Sequence, residues 1–146
     1  MTVDITTDIV IDRPLAEVSA FVADPSNAPQ WYVNIERVEW KSVPPLRVGS
    51  QVAFVAKFLG KTLAYTYEFV EVLPEERVTM RTAQGPFPMA TTYAWSAPTP
   101  GSTRMTLRNQ GDPAGFSKLM APFVSGAVRR ANRKDLARLK KVLEAS

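Results

Sequence analysis

The chain has 146 residues, and cysteine and histidine are both missing from it. Without cysteine there is no disulfide and no thiol nucleophile. Without histidine there is no Ser–His–Asp triad, and nearly every zinc or haem site is excluded as well. The side chain that most often moves protons near neutral pH is also absent. Acid–base chemistry is left to Asp, Glu, Lys, Tyr, Arg or water, and neither a metal nor a cofactor is expected. No apolar run approaches the length that spans a bilayer. The opening MTVDITTDIVID carries Asp4, Asp8 and Asp12, with no basic segment and no continuous apolar segment. It does not read as a secretory signal, so the default expectation is a cytoplasmic protein.

What is present is a globular composition, 45% hydrophobic and 22% charged, of a size suited to one domain over residues 1–146. The net charge of +4 is unevenly placed. Residues 114–146 hold eight basic and two acidic residues, a net +6, which leaves −2 for the remainder.

Hydrophobic periodicity lays out the elements. Val3, Ile5, Thr7, Ile9 and Ile11 alternate with polar positions and predict a half-buried strand. Asp12 is the expected N-cap of a helix that begins near Pro14 and carries Leu15, Val18, Phe21 and Val22 at helical spacing. Asp24–Pro25 stops it. One more short helical turn over Ser26–Gln30 leads to Trp31. A second strand is expected over Val33–Trp40, with a bulge where Ile35 and Val38 break alternation. Further strands follow over Gln51–Phe58, Thr62–Phe69, Val78–Thr82, Met89–Ser96 and Arg104–Asn109, separated by Pro- and Gly-containing turns. After Gly111–Asp112–Pro113 the period changes from two to 3.6. Phe116, Leu119, Met120, Phe123, Ala127, Ala131, Leu136, Leu139 and Leu143 form one stripe of a long amphipathic helix, with a kink or break expected at Pro122. The predicted class is α+β: an antiparallel sheet with one long helix against it.

The stretches RPLAEVSAFVADPSNAPQW (13–31), VGSQV (48–52), YEFVEVLPEERVTMRT (67–82), GPFPMATTYAWSAPTPGSTRMTLRNQG (85–111) and DLARLKKVLE (135–144) carry a resemblance over nearly the whole chain. In order and spacing the chain resembles the START-like (helix-grip, SRPBCC) superfamily, and most closely its bacterial polyketide cyclase/dehydrase-like branch. The resemblance implies a seven-stranded antiparallel sheet curved around a long C-terminal helix, with one or two short helices after the first strand. It further implies a cavity between sheet and helix that takes hydrophobic or amphipathic molecules such as lipids, polyketides or isoprenoids. The superfamily includes carriers, receptors and cyclases, so the fold fixes no reaction.

Parity places Phe54, Phe58, Tyr65, Tyr67, Phe69, Met80, Tyr93, Trp95, Met105, Leu107 and Asn109 on the inner strand face. Phe116, Met120, Phe123 and Ala127 oppose them from the helix. A solid core is the plain alternative, since any small domain buries large side chains. Against it stands the richness in tyrosine and tryptophan, whose O–H and N–H groups need partners when buried. Tyr65, Tyr67, Tyr93 and Asn109 are the expected orienting groups, with Thr82 and Thr91 next. Trp31 is expected to pack structurally, and Arg81 to face solvent. Acidic residues are expected on outward faces, in turns or on the polar side of the first strand, with none in the cavity. That favours binding over catalysis and leaves no catalytic residue to name. A cyclase, aromatase or dehydrase that polarises a carbonyl with a tyrosine hydroxyl is the second reading. An interaction module using the convex sheet or the basic helix is the third.

The basic residues of the last helix suit a solvated face, helped by cations near a helix C-terminus. A weak contact with anionic membrane lipid is a secondary expectation. No aromatics interleave these charges, so nucleic acid is not an expected partner. Finally, Gly85–Pro86–Phe87–Pro88–Met89 reads as a stiff connection at the end of the sheet where a cavity would open. Phe87 either forms a lip over the mouth or packs as part of an ordinary turn.

Overall fold

The computed structural model describes residues 3–58, 60–84, 88–111 and 121–145. Phe87, Phe116, Leu119 and Met120, together with the side chains of Phe58 and Phe123, lie outside the described residues. The elements run β1 (Val3–Ile11), α1 (Leu15–Ala23), a 3₁₀ turn (Pro25–Asn27), α2 (Ala28–Trp31), β2 (Ile35–Trp40), β3 (Gln51–Phe58), β4 (Lys61–Leu73), β5 (Arg77–Gln84), β6 (Met89–Ser96), β7 (Thr103–Gly111) and α3 (Ala121–Glu144).

All seven strands form one antiparallel sheet in the order β1-β7-β6-β5-β4-β3-β2. Strands consecutive in sequence from β2 to β7 are therefore spatial neighbours joined by hairpins. The exception is the step from β1 to β2, which lie at opposite edges. The segment α1–α2 must cross from one edge to the other, and it closes one end of the sheet in doing so. Register shifts occur between Ile35 and Arg37 in β2, and at Thr66/Tyr67 and Phe69/Glu71 in the long strand β4. Each extra residue bends its strand and increases its twist, which curls the sheet. α3 packs across β1 and α2 on the concave side.

Alternation governs what is buried. Val3, Ile5, Thr7 and Ile11 point inward from β1, Leu63, Tyr65, Tyr67 and Phe69 from β4, and Met105, Leu107 and Asn109 from β7. The outward positions carry cross-strand ion pairs: Asp4 with Arg108 at 2.7 Å and Asp8 with Arg104 at 3.5 Å. These are exposed and contribute little to stability. From α3, Asn132, Asp135, Leu136, Leu139 and Leu143 are buried.

The N-cap of α1 differs from expectation. Pro14 occupies it, extended at φ −62° and ψ 149°, with no side-chain cap. Asp12 sits too far back along an extended chain to reach the helix. Its N–H donates instead to Glu144 Oε2 at 2.7 Å. Arg13 Nε donates to the Leu143 carbonyl at 2.9 Å, and Lys140 Nζ donates to the Val10 carbonyl at 2.9 Å. These contacts fasten the C-terminal end of α3 to the β1–α1 corner.

The second strand begins at Ile35, two residues later than its pattern suggests. The reason is that the Val33 N–H is engaged by a carboxylate on α3 rather than by a sheet neighbour.

Candidate functional site

A cavity of about 160 Å³ lies between the sheet and the middle of α3. Its wall is drawn from the start of β1 (Val3), the approach to β2 (Tyr32, Asn34, Ile35), and the β3–β4 hairpin arms (Phe54, Ala56, Lys57, Leu63, Tyr65, Tyr67). Met80, Met89, Thr91, Asn109, Gln110 and Gly111 add the far side, and Val128, Ala131, Asn132 and Asp135 the helix. Met89 and Gly111 place it at the end of the sheet where β5 finishes and β6 begins. At Gly111 the chains approach closely. A Cβ there would stand 3.0 Å from both Met89 Cγ and the Pro88 carbonyl oxygen, so any larger residue presses Pro88 and Met89 aside by a few tenths of an ångström.

Of the residues singled out from sequence, Phe54, Tyr65, Tyr67, Met80 and Asn109 stand on this wall, as does Thr91. Phe69 is 2% exposed and belongs to the packed interior. Tyr93 sits one layer behind the wall, its hydroxyl 2.6 Å from that of Tyr32. Trp95 faces a different concavity. Thr82 is half-buried, with its hydroxyl accepting from the Met89 N–H at 2.9 Å, and so holds the β5–β6 hairpin. Trp31 is buried against Tyr32 and Tyr93, with ring centroids at 3.9 and 5.8 Å.

Asp135 requires a correction. No acidic side chain was expected in the cavity, yet Asp135 lines it and is 4% exposed. In the sequence it lies among Arg133, Lys134 and Arg138, which reads as a solvated charge cluster. On α3 it falls on the inward face, three residues before Arg138 and one before the core residue Leu136. Its Oδ1 accepts the Val33 N–H at 2.8 Å. Burial pushes its carboxyl up to about 7, against the lowering effects of that hydrogen bond and of Arg138. A carboxyl poised near neutrality in an apolar pocket is able to give or take a proton.

A chain of polar groups runs beside it. The Thr91 hydroxyl donates to Asn109 Oδ1 at 2.6 Å, and Asn109 Nδ2 donates to Asn132 Oδ1 at 3.1 Å. Asn132 Nδ2 is buried with no partner. Tyr67 is pushed up to about 12, chiefly by burial, with Thr91 in hydrogen-bonding reach. Burial also raises Tyr65, Tyr93 and Tyr32 above the ordinary phenol value. All four therefore hold their protons at neutral pH and act as neutral hydrogen-bonding groups. Neither Tyr32 nor Asn132 stood out in the sequence. Asn132 is detectable there only as a polar residue at helical spacing on an otherwise apolar face, one position beyond Ala131.

A second, larger concavity of about 650 Å³ lies at the other end of the sheet, among α1, residues 44–46 and the β4–β5 turn. Several polar groups there are already engaged with each other. Ser19 donates to the Leu15 carbonyl at 2.8 Å, Asp24 accepts from the Ser26 N–H at 3.0 Å, and Ser26 Oγ accepts from Trp40 Nε1 at 2.9 Å. Trp95 Nε1 is buried there without a partner, but no buried titratable group joins it. Volume favours this groove and chemistry favours the smaller cavity. The smaller cavity joins a buried carboxyl to an amide and hydroxyl chain, and convergent polar groups of that kind on an apolar wall are what orient a ligand.

Residues 2–144 match the family model described as polyketide cyclase/dehydrase and lipid transport. No curated protein matches the chain by sequence. Among solved structures, it is similar to the Zhui aromatase/cyclase from Streptomyces sp. R1128, with TM-score 0.83, 14% identity, and coverage of 99% of this chain and 94% of that one. A START superfamily protein from Mycobacterium smegmatis gives TM-score 0.78 and 14% identity, covering 95% and 98%. The ginseng major latex-like protein 151 from Panax ginseng gives 0.73 and 14%, covering 99% and 96%. At such identities the likeness is one of fold. Among the described residues no helix is long and apolar enough to cross a membrane.

Proposed function

The chain belongs to the polyketide cyclase/dehydrase and lipid transport family, and on that premise we propose that it binds a hydrophobic or amphipathic small molecule between the sheet and α3, as a carrier or sensor. The observation that carries this is the wall of the cavity. It is largely apolar, from Phe54, Leu63, Met80, Met89 and Val128, and interrupted by a few convergent polar groups. That is the usual make-up of a small-molecule site: apolar area supplies affinity and sparse polar groups set orientation. The test is native mass spectrometry and solvent extraction of the purified protein, followed by a thermal-shift screen of apolar molecules. A co-purifying or stabilising small molecule is the expected result. A protein that carries nothing and is stabilised by no apolar class overturns the proposal.

Asp135 favours a second reading, an enzyme of the cyclase/dehydrase type. A carboxyl with its proton equilibrium near neutrality, set beside tyrosine hydroxyls and an amide, has the parts for abstracting a proton next to a carbonyl and returning it elsewhere. Turnover of a poly-β-ketone chain that disappears in Asp135→Asn, with ligand affinity kept, supports it. Equal rates with and without protein remove it.

A further inference from the structure

We propose that Asn132 is a specificity-determining residue whose amide N–H reads a neutral acceptor oxygen on the ligand, so that the molecule bound is an apolar body carrying a carbonyl. This rests on the cavity being the ligand site, as proposed above, and it adds the functional group that the ligand presents there.

The polarity of the hydrogen-bond chain leads to it. The Tyr67 phenol keeps its proton and lies within reach of Thr91. The Thr91 hydroxyl donates its one proton to Asn109 Oδ1. The Asn109 amide nitrogen faces α3, where it donates to Asn132 Oδ1. The Asn132 oxygen is thereby occupied, and its nitrogen is left over. Asn132 is 5% exposed, and its Nδ2 has no partner. A buried amide N–H without an acceptor costs about as much as a lost hydrogen bond, so a chain arranged to leave one on a cavity wall is incomplete until something accepts it. Asp135, three residues further along α3, lines the same cavity.

The same neighbour defines the charge of the ligand. An anionic oxygen would be placed beside Asp135 in surroundings dry enough to penalise any unpaired charge. A cation would find Asp135 but would leave Asn132 unanswered. A ketone, aldehyde, ester or lactone oxygen answers Asn132 with no charge to bury.

The experiment compares matched probes on the whole chain: phenyl and naphthyl methyl ketones, each against the hydrocarbon isostere in which C=CH₂ replaces C=O. Dissociation constants come from protein-observed NMR titration. The expected result is ketone affinity about tenfold tighter than that of the isostere. In Asn132→Leu that preference vanishes through weaker ketone binding, while hydrocarbon affinity holds. Asn132→Ala removes the donor without adding bulk or a titratable group, and serves where the leucine variant does not fold. Equal affinity within each pair for the unaltered protein overturns this inference and leaves the cavity proposal standing. A ketone preference that survives both substitutions assigns the oxygen to another group and also overturns it. Failure of every probe to bind removes the cavity proposal and this inference together.

Discussion

The two ends of the concave side are built from the same strands on the same alternating face, yet beneath α3 one end is filled and the other leaves a cavity. At the closed end, Ile11, Val18, Val52, Phe69, Val78, Met105, Leu107, Leu136, Leu139 and Leu143 are at most 4% exposed and form one cluster. There α3 is fastened by backbone and carboxylate contacts to the β1–α1 corner. At the open end, α3 presents Val128, Ala131, Asn132 and Asp135, and meets the sheet and the β2 approach through Asn109 and Val33. The difference comes from the helix. Leucines at 136, 139 and 143 fill the interior, whereas Ala131 is too small to do so, and Asn132 and Asp135 reach their neighbours through single hydrogen bonds to Asn109 and Val33. The sheet supplies the envelope, and the size of the helix side chains decides where space remains.

The largest expected effect lies at the closed end. Leu139 is fully buried, and Leu139→Ala leaves a void that packed neighbours cannot fill. The cost is about 2–5 kcal/mol by chemical denaturation. Truncation at the open end, Val128→Ala, removes one carbon fewer and costs much less, because that side chain is only partly buried and borders the cavity. Similar losses at both positions would show that the open end is as tightly packed as the closed one, and would end the contrast.

The second prediction sets the two ends against each other in pH. Burial raises the Asp135 carboxyl to about 7. Between the unfolded value near 4 and that folded value, the native state holds more protons than the unfolded chain. Stability from this group therefore falls as pH rises through that window and stays lost above it. At the closed end Glu144 behaves oppositely. Lys140 and the Asp12 N–H hold its carboxyl below the usual range, so its contribution is present above the ordinary carboxylate value and lost in acid. Asp135→Asn keeps an acceptor for Val33 and removes the buried charge. It should raise stability at pH 8 by on the order of 1–3 kcal/mol and change little at pH 4. Glu144→Gln should lower the melting temperature at pH 8 and leave it unchanged at pH 3. An Asp135→Asn protein no more stable than its parent at pH 8 would place the carboxylate in water, and the cavity floor with it.

Much of this contrast was legible in the sequence up to a definite point. Alternation in β1, β4, β6 and β7 marks the buried face residue by residue, and the change of period after Gly111 marks the helix, because both signals are local. The bulge in β2 shows as the break between Ile35 and Val38. What local pattern cannot supply is depth along the face. Phe69 and Phe54 share one parity, but only the packing of α1 and α2 over the closed end makes one a filler and the other a wall residue. The helix hides its chemistry for a similar reason. Asp135 among Arg133, Lys134 and Arg138 has the composition of a solvated cluster, and the 3.6-residue period turns only Asp135 inward. Asp12 misled in the other direction: a good capping residue was in place, but the extended conformation at Pro14 left it unable to cap.

The smallest predicted effect tests the boundary between the two ends. The hydroxyls of Tyr32 and Tyr93 meet at 2.6 Å where the packed interior gives way to the cavity wall. Tyr93→Phe keeps the ring, and with it the contact to Trp31 at 5.8 Å, so no void forms. It removes one hydrogen bond and leaves the Tyr32 hydroxyl to find water or ligand, at a cost of about 0.5–1.5 kcal/mol. Tyr32 is on the cavity wall and Tyr93 is behind it, so the freed hydroxyl becomes available from the cavity side. Bound ligands with an acceptor oxygen should then regain part of the lost stability, measurable as a larger thermal shift in Tyr93→Phe than in the unaltered protein. A loss of stability that no ligand restores would place the tyrosine pair inside the filled region, and would move the boundary of the cavity from Tyr93 outward to Tyr67.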